Sequence, residues 1–183
     1  MRPALVLLDR DGVINHDSPD YILSPEAWQP IPGSLEAIAR LTKAGIAVAV
    51  CSNQSAIGRG KMTEQSLARI NEKLHRCVTE KGGVISAMHY CPHAPQAGCH
   101  CRKPLPGLIE EALKTANVPA ATSLLIGDSQ RDLEAARAAG VDAWLVRTGN
   151  GEATEKTLGT GADTPIYDDL AAAVEALLAN RDD

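Results

Sequence analysis

An α/β fold is predicted for this sequence, a three-layer arrangement with a parallel sheet covered by helices on both faces. Three observations carry that expectation. Short apolar runs alternate along the whole chain with stretches whose apolar residues recur three and four positions apart. The runs are apolar without a polar alternation, as in strands buried on both faces. The residues that follow them are carboxylates, hydroxyls and amides, placed where open sheets of this kind keep their ligand crevice. With 183 residues, against about 100–200 for a typical domain, the chain is expected to form one domain over 1–183. A single core should bury roughly 70% of the surface the unfolded chain exposes.

The elements follow in order. Ala4 to Leu8 reads as the first strand and runs directly into Asp9-Arg10-Asp11-Gly12. Leu35, Ile38 and Leu41 mark a helix before the second strand, Ile46 to Cys51. Leu67, Ile70, Leu74 and Val78 mark the next helix, followed by a third strand, Val84 to Tyr90. A helix after Pro106, a strand Ser123 to Ile126, a helix near Gln130, a strand Ala143 to Val146 and a helix after Asp168 complete the pattern. Only forty residues separate Asp11 from Ser52. A flap and one helix consume them, so no large cap is expected and the site should be open. Selectivity would then rest on three loops, Asn15 to Pro32, Gln54 to Met62 and Cys91 to Cys101.

The net charge of −5 and the isoelectric point near 5.5 provide no broad positive field, and the 3% aromatic content, with no Phe, leaves few stacking platforms. A nucleic-acid partner is therefore not expected. The N-terminus has no basic-then-apolar leader and no apolar run approaches about 20 residues, so neither a signal peptide nor a membrane span is expected. The expected location is cytoplasmic and the expected state a monomer. Cys51 and Cys77 lie within apolar patterns and read as small buried hydrophobes.

The residues after the strands converge on one edge. Asp9 and Asp11 leave the first strand on the same side, because successive residues of an extended chain alternate. Two such carboxylates repel each other unless one is protonated or a cation lies between them, and oxygen-rich sites suit Mg2+. Ser52, Asn53, Gln54 and Ser55 follow the second strand, Arg102 and Lys103 close the loop after the third, and Gly127, Asp128, Ser129 and Asp132 follow the fourth. This set has the parts for phosphoryl transfer. Asp9 would attack phosphorus and become an aspartyl phosphate. Asp11 would protonate the leaving oxygen and later take a proton from water. Asp128 would complete the Mg2+ shell, with Asp132 one helical turn on as a positioning group. Ser52 and Lys103 would donate to the phosphoryl oxygens.

Cys91-Pro92-His93-Ala94-Pro95-Gln96-Ala97-Gly98-Cys99-His100-Cys101 places three thiols and two imidazoles within eleven residues. Zinc favours four such ligands in a tetrahedron, and closed sites of this kind are structural. Both His93 and His100 are open as the fourth ligand; spacing favours His93, since His100 lies between two cysteines that must both turn to the ion. Anchoring Cys99 and Cys101 would fix the adjoining Arg102 and Lys103, so zinc is expected to order the loop rather than to fold the domain.

Asp9-Arg10-Asp11-Gly12-Val13, Ser52-Asn53-Gln54-Ser55, Arg102-Lys103-Pro104 and Gly127-Asp128-Ser129 stand in the order of the four motifs of the haloacid dehalogenase-like (HAD) phosphatases, which the chain resembles over nearly its whole length. The resemblance implies a Rossmann-like fold, Asp9 as nucleophile, Asp11 as acid and base, Ser52 and Lys103 as phosphoryl stabilisers, and Mg2+ held by Asp9, Asp128 and the backbone carbonyl of Asp11. The cysteine loop narrows the resemblance to the histidinol-phosphatase-type branch, where His93 would join Cys91, Cys99 and Cys101 on zinc. That branch contains heptose bisphosphate phosphatases and histidinol-phosphate phosphatases, and the loop spacing suits both. The run from Asp17 to Pro32 with Trp28, the Ser52–Ser55 turn, the stretch from Cys101 to Gly107 and the late segment from Trp144 to Gly151 resemble the heptose bisphosphate group more. That likeness implies a small phosphorylated sugar as substrate, contacts from Asp17, Asp20, Tyr21, Ser52, Asn53, Gln54, Ser55, Arg102 and Lys103, and a place in ADP-heptose supply for lipopolysaccharide.

Overall fold

A computed structural model describes residues 2–159 and 163–179. Its elements are β1 (Leu5–Leu8), α1 (Ser34–Lys43), β2 (Ala47–Asn53), α2 (Glu64–Glu80), β3 (Ala87–Cys91), α3 (Gly107–Ala116), β4 (Ser123–Gly127), α4 (Gln130–Ala138), β5 (Asp142–Val146), α5 (Gly151–Leu158), β6 (Ile166–Tyr167) and α6 (Leu170–Ala179). The strands pair in parallel in the order β3-β2-β1-β4-β5-β6. Chain progress reverses between β1 and β4, so the crevice of this doubly wound sheet opens beyond the carboxyl ends of those two central strands.

The two faces of β1 show why the sheet is covered on both sides. Val6 and Leu8 pack with Ile38 and Leu41 of α1, Leu67, Ile70 and Leu74 of α2, and Val174 of α6. Leu5 and Leu7 point the other way, into a second core with Leu108, Ile109 and Ala112 of α3 and Ala135 and Ala136 of α4. All four β1 residues have no solvent exposure. Among the described residues the three-layer, Rossmann-like architecture without a large cap is thus the observed one. Among the described residues no helix is long and apolar enough to cross a membrane.

Local chemistry explains where the helices begin. The Thr63 side chain accepts the Ser66 backbone N–H at 3.1 Å and starts α2. At α4 Ser129 and Asp132 form a reciprocal capping box, the Ser129 N–H and Oγ both donating to Asp132 Oδ2 at 3.0 and 2.6 Å.

Four details depart from the sequence reading. The ladder between β2 and β3 continues past the last apolar residue and pairs Ser52 with Tyr90 and Asn53 with Cys91, so β2 carries two site residues within the strand. The third strand begins at Ala87 rather than at Val84, which is 54% exposed. The segments α5 and β6 were not expected; the first has only eight residues and the second two. Cys51 is fully buried as expected, whereas Cys77 is half-buried on the flank of the first core.

Candidate active site

Because Leu8 registers with Val50 on one side and Ile126 on the other, the exits of β1, β2 and β4 lie side by side. They open into a cleft of about 290 Å³ walled by Asp9, Asp11, Ser52, Lys103 and Asp128, among others.

Lys103, 2% exposed, organises the floor. Its Nζ donates to Asp132 Oδ1 at 2.6 Å and to the Cys51 carbonyl at 2.8 Å, and lies 3.0 Å from Asp9 Oδ1. Burial alone would depress the lysine, but the charges of Asp132 and Asp9 outweigh it and hold Lys103 well above its ordinary value. Burial opposes ionisation of Asp132 too, yet Lys103 and the Ser129 bonds carry its carboxyl below the usual range. Both Asp132 oxygens are thereby committed to protein partners.

The other carboxyls are arranged differently. Burial, opposed by Lys103 and reinforced by Asp132, Asp128 and Asp11, raises Asp9 well above the carboxylate range. Asp128 is pushed up to about 6 by burial and by the Asp132 charge, although Asn150 donates to its Oδ2 through the backbone N–H at 2.7 Å and the side-chain amide at 3.1 Å. Asp9, Asp128 and Asp132 each bring an oxygen within 4.8 Å of the others. Since Asp132 is already paired, Asp9 and Asp128 are the carboxylates with room for a divalent cation. Glycines make that approach possible: a Cβ on Gly12 (φ +87°) or Gly149 (φ +60°) would overlap the Asp128 carboxylate.

Asp11 faces the same cleft in a different setting. Burial pushes its carboxyl up, but the Arg10 charge and four hydrogen bonds bring it below the usual range. Arg10 grips it with Nε at 2.9 Å and Nη2 at 3.0 Å, and Asn15 and Gln54 each donate at 2.9 Å. Gln54 also donates to Ser52 Oγ at 2.8 Å, which leaves the Ser52 hydroxyl proton to point elsewhere.

Of the expected substrate contacts, Asp17, Tyr21, Ser52, Asn53, Gln54, Ser55, Arg102 and Lys103 line the cleft, and Asp20 does not. The Asn53 side chain is turned to protein: it donates to the Lys103 carbonyl at 3.0 Å and accepts the Lys103 N–H at 3.1 Å. Arg59 and Arg131 also stand in the wall, and Arg102 Nη1 is buried without a partner among the described residues. The sequence reading missed Asn150 and Arg10. Asn150 follows the fifth strand and obeys the same strand-end rule as the residues already collected; Arg10 gave no signal, because its importance lies in folding back onto its neighbour.

The cysteine loop gathers Cys91, His93, Cys99 and Cys101, whose ligand atoms all lie within 4.8 Å of one another. The Cys91–Cys99 sulfurs are 3.6 Å apart, and His93 Nδ1 lies 3.5 Å from Cys91 Sγ and 3.3 Å from Cys101 Sγ. Tetrahedral bonds of zinc length place ligand atoms about 3.5–3.8 Å apart, so the set fits that ion. His100 turns away to Glu110 at 3.0 Å.

Known proteins share this fold and sequence. A family model described as HAD-hydrolase-like matches residues 100–173. The D-glycero-beta-D-manno-heptose-1,7-bisphosphate 7-phosphatase of Bordetella bronchiseptica is 47% identical over 174 residues, covering 95% of this chain and 97% of its own length. The Pseudomonas aeruginosa protein of that name is 48% identical over 179 residues, 97% of this chain and 99% of its own. A crystal structure of the Bordetella bronchiseptica D,D-heptose 1,7-bisphosphate phosphatase, complexed with magnesium and phosphate, superposes with a TM-score of 0.93 at 45% identity, covering 99% of this chain and 100% of that one. Identity of this order across essentially the full length, on the same fold, means that the chain belongs to the D-glycero-beta-D-manno-heptose-1,7-bisphosphate 7-phosphatase family of HAD-like hydrolases.

Proposed function

We propose that this protein removes the C7 phosphate of D-glycero-D-manno-heptose 1,7-bisphosphate through an aspartyl-phosphate intermediate. The observation that carries the reading is the convergence of Asp9, Asp11, Lys103 and Asp128 in one cleft at the β1/β4 switch point, in a chain of this family.

Asp9 and Asp128, with the backbone carbonyl of Asp11, would hold Mg2+, as the donor set allows. When bound, that ion neutralises the crowded carboxylates and the phosphoryl oxygens. Asp9 attacks phosphorus, forming an oxygen–phosphorus bond as the bond to the sugar oxygen breaks. Lys103 already spends its three donors on Asp9, Asp132 and Cys51. It therefore aims Asp9 and lends the transferring group its positive field, while the Ser52 hydroxyl supplies a direct donor. Asp11 protonates the departing sugar oxygen, an acid role that its Arg10 clamp opposes. The like charge of a bound phosphate dianion works against that clamp by disfavouring proton loss. Once the leaving group has gone, the ionised Asp11 is set to take a proton from the hydrolytic water. Arg102, with its unpaired Nη1, suits the second phosphate of the sugar. Cys91, His93, Cys99 and Cys101 would hold zinc and keep the Arg102–Lys103 segment in place.

Phosphate release from heptose 1,7-bisphosphate, fructose 1,6-bisphosphate and histidinol phosphate tests the assignment. The heptose ester should have the highest kcat/KM; a preference for histidinol phosphate would overturn it.

A further inference from the structure

Of the lysines that the mechanism does not use, Lys61 and Lys73 reach the flap 15–32. The flap closes at its neck through His16 N–H to the Gln29 carbonyl at 3.0 Å and Ile31 N–H to the Ile14 carbonyl at 2.9 Å. Beyond the neck the chain has neither helix nor strand, yet Asp17, Ser18, Pro19, Tyr21 and Ile22 form one wall of the cleft. Something outside the flap must hold that wall. Lys73, half-buried on α2, donates from Nζ to the Pro25 carbonyl at 2.7 Å and to the Trp28 carbonyl at 2.9 Å. The same ammonium stands 5.5 Å from the centre of the fully buried Trp28 ring. At the tip, Lys61 lies 4.8 Å over the ring of Tyr21, a non-glycine residue held at φ 68°. One lysine thus seats the base of the flap and the other covers a strained residue in the cleft wall.

We infer that Lys73 and Lys61 are positioning residues for substrate selectivity: they hold the flap against the cleft so that it grips the sugar, without touching the reacting atoms. This rests on the function proposed above. Because Asp9 and Lys103 are fixed by the strands and by each other, and Asp11 by Arg10, Gln54 and Asn15 on the sheet side of the neck, loosening the flap beyond the neck should cost binding and spare chemistry. Lys73→Met should raise KM for heptose 1,7-bisphosphate roughly tenfold, with kcat within about twofold of the parent. Turnover of p-nitrophenyl phosphate, too small to need the flap, should not change. Lys73→Arg, which retains the charge and the donors, should recover most of the lost affinity. Lys61→Met, at an exposed side chain with no part in the core, should give a weaker form of the same split and carries the test if Lys73→Met does not fold. Equal losses on both substrates, or an unchanged ratio between them in both Met variants, would overturn the inference. Failure of the parent protein to hydrolyse heptose 1,7-bisphosphate while it hydrolyses p-nitrophenyl phosphate would instead strike the proposed function.

Discussion

The strand-end cluster and the loop shell around it are built on opposite plans. Asp9, Asp128, Asp132 and Lys103 occupy the exits of buried strands or their immediate neighbourhood, with Lys103 and Asp132 essentially without solvent exposure. The flap and the cysteine loop have little regular structure: Lys73 holds the flap from α2, the cysteine loop is gathered by its own Cys91, His93, Cys99 and Cys101, and Asn53 holds the Lys103 backbone just beyond it. On the function proposed here, the difference teaches a division of labour: groups that must align to fractions of an ångström sit on the rigid sheet, and groups that would choose the substrate sit on loops that can differ without disturbing it.

The severest challenge to this contrast is Asp9→Asn, which keeps shape and removes the proposed nucleophile. Turnover should fall on the order of 10³-fold or more, with an unchanged melting curve; a rate like that of the parent would end the mechanism. Next comes Asp132→Asn, which strips a buried ammonium of its strongest partner. It should destabilise the fold by about 3 kcal/mol in urea unfolding and also reduce kcat, because Lys103 then loses its anchor. Loss of activity with no loss of stability would show that the pair is not structural. Treating the protein with a zinc chelator should sharpen the comparison from the loop side. Activity should fall roughly tenfold, in the range seen for disturbed supporting shells, while the melting temperature moves by only a few degrees; a cooperative collapse of the whole domain would place the loop in the core instead. The smallest effect is a labelling difference in urea-free buffer at pH 8. Burial, with Lys103 opposing, pushes the Cys51 thiol up to about 12, so iodoacetamide should leave it unmodified, and the half-buried Cys77 should react first of these two.

Much of this was legible in the sequence because the two cores write themselves as continuous apolar runs, and the ligand crevice lies where such runs stop. Asp9, Asp11, Ser52 and Asp128 were all found by that rule. Asn150 obeys it as well, at the exit of the fifth strand. Arg10, Asn53 and Gln54 belong to another category. Their meaning is a direction taken by a side chain, back onto Asp11, across to the Lys103 backbone, or bridging Asp11 and Ser52, and no periodicity encodes a direction. The same holds for Lys73, which reads on paper as one more solvated charge on a helix. The short α5 and β6 escaped because eight and two residues are too few for a period to declare itself.

The crowding of Gly12 and Gly149 against the Asp128 carboxylate carries a last consequence, for variation rather than for chemistry. In a saturation mutagenesis library selected for hydrolysis, both positions should come back as glycine alone. Even alanine would have to evict the carboxylate from its seat, so two residues that take no part in the reaction would be among the least replaceable in the chain.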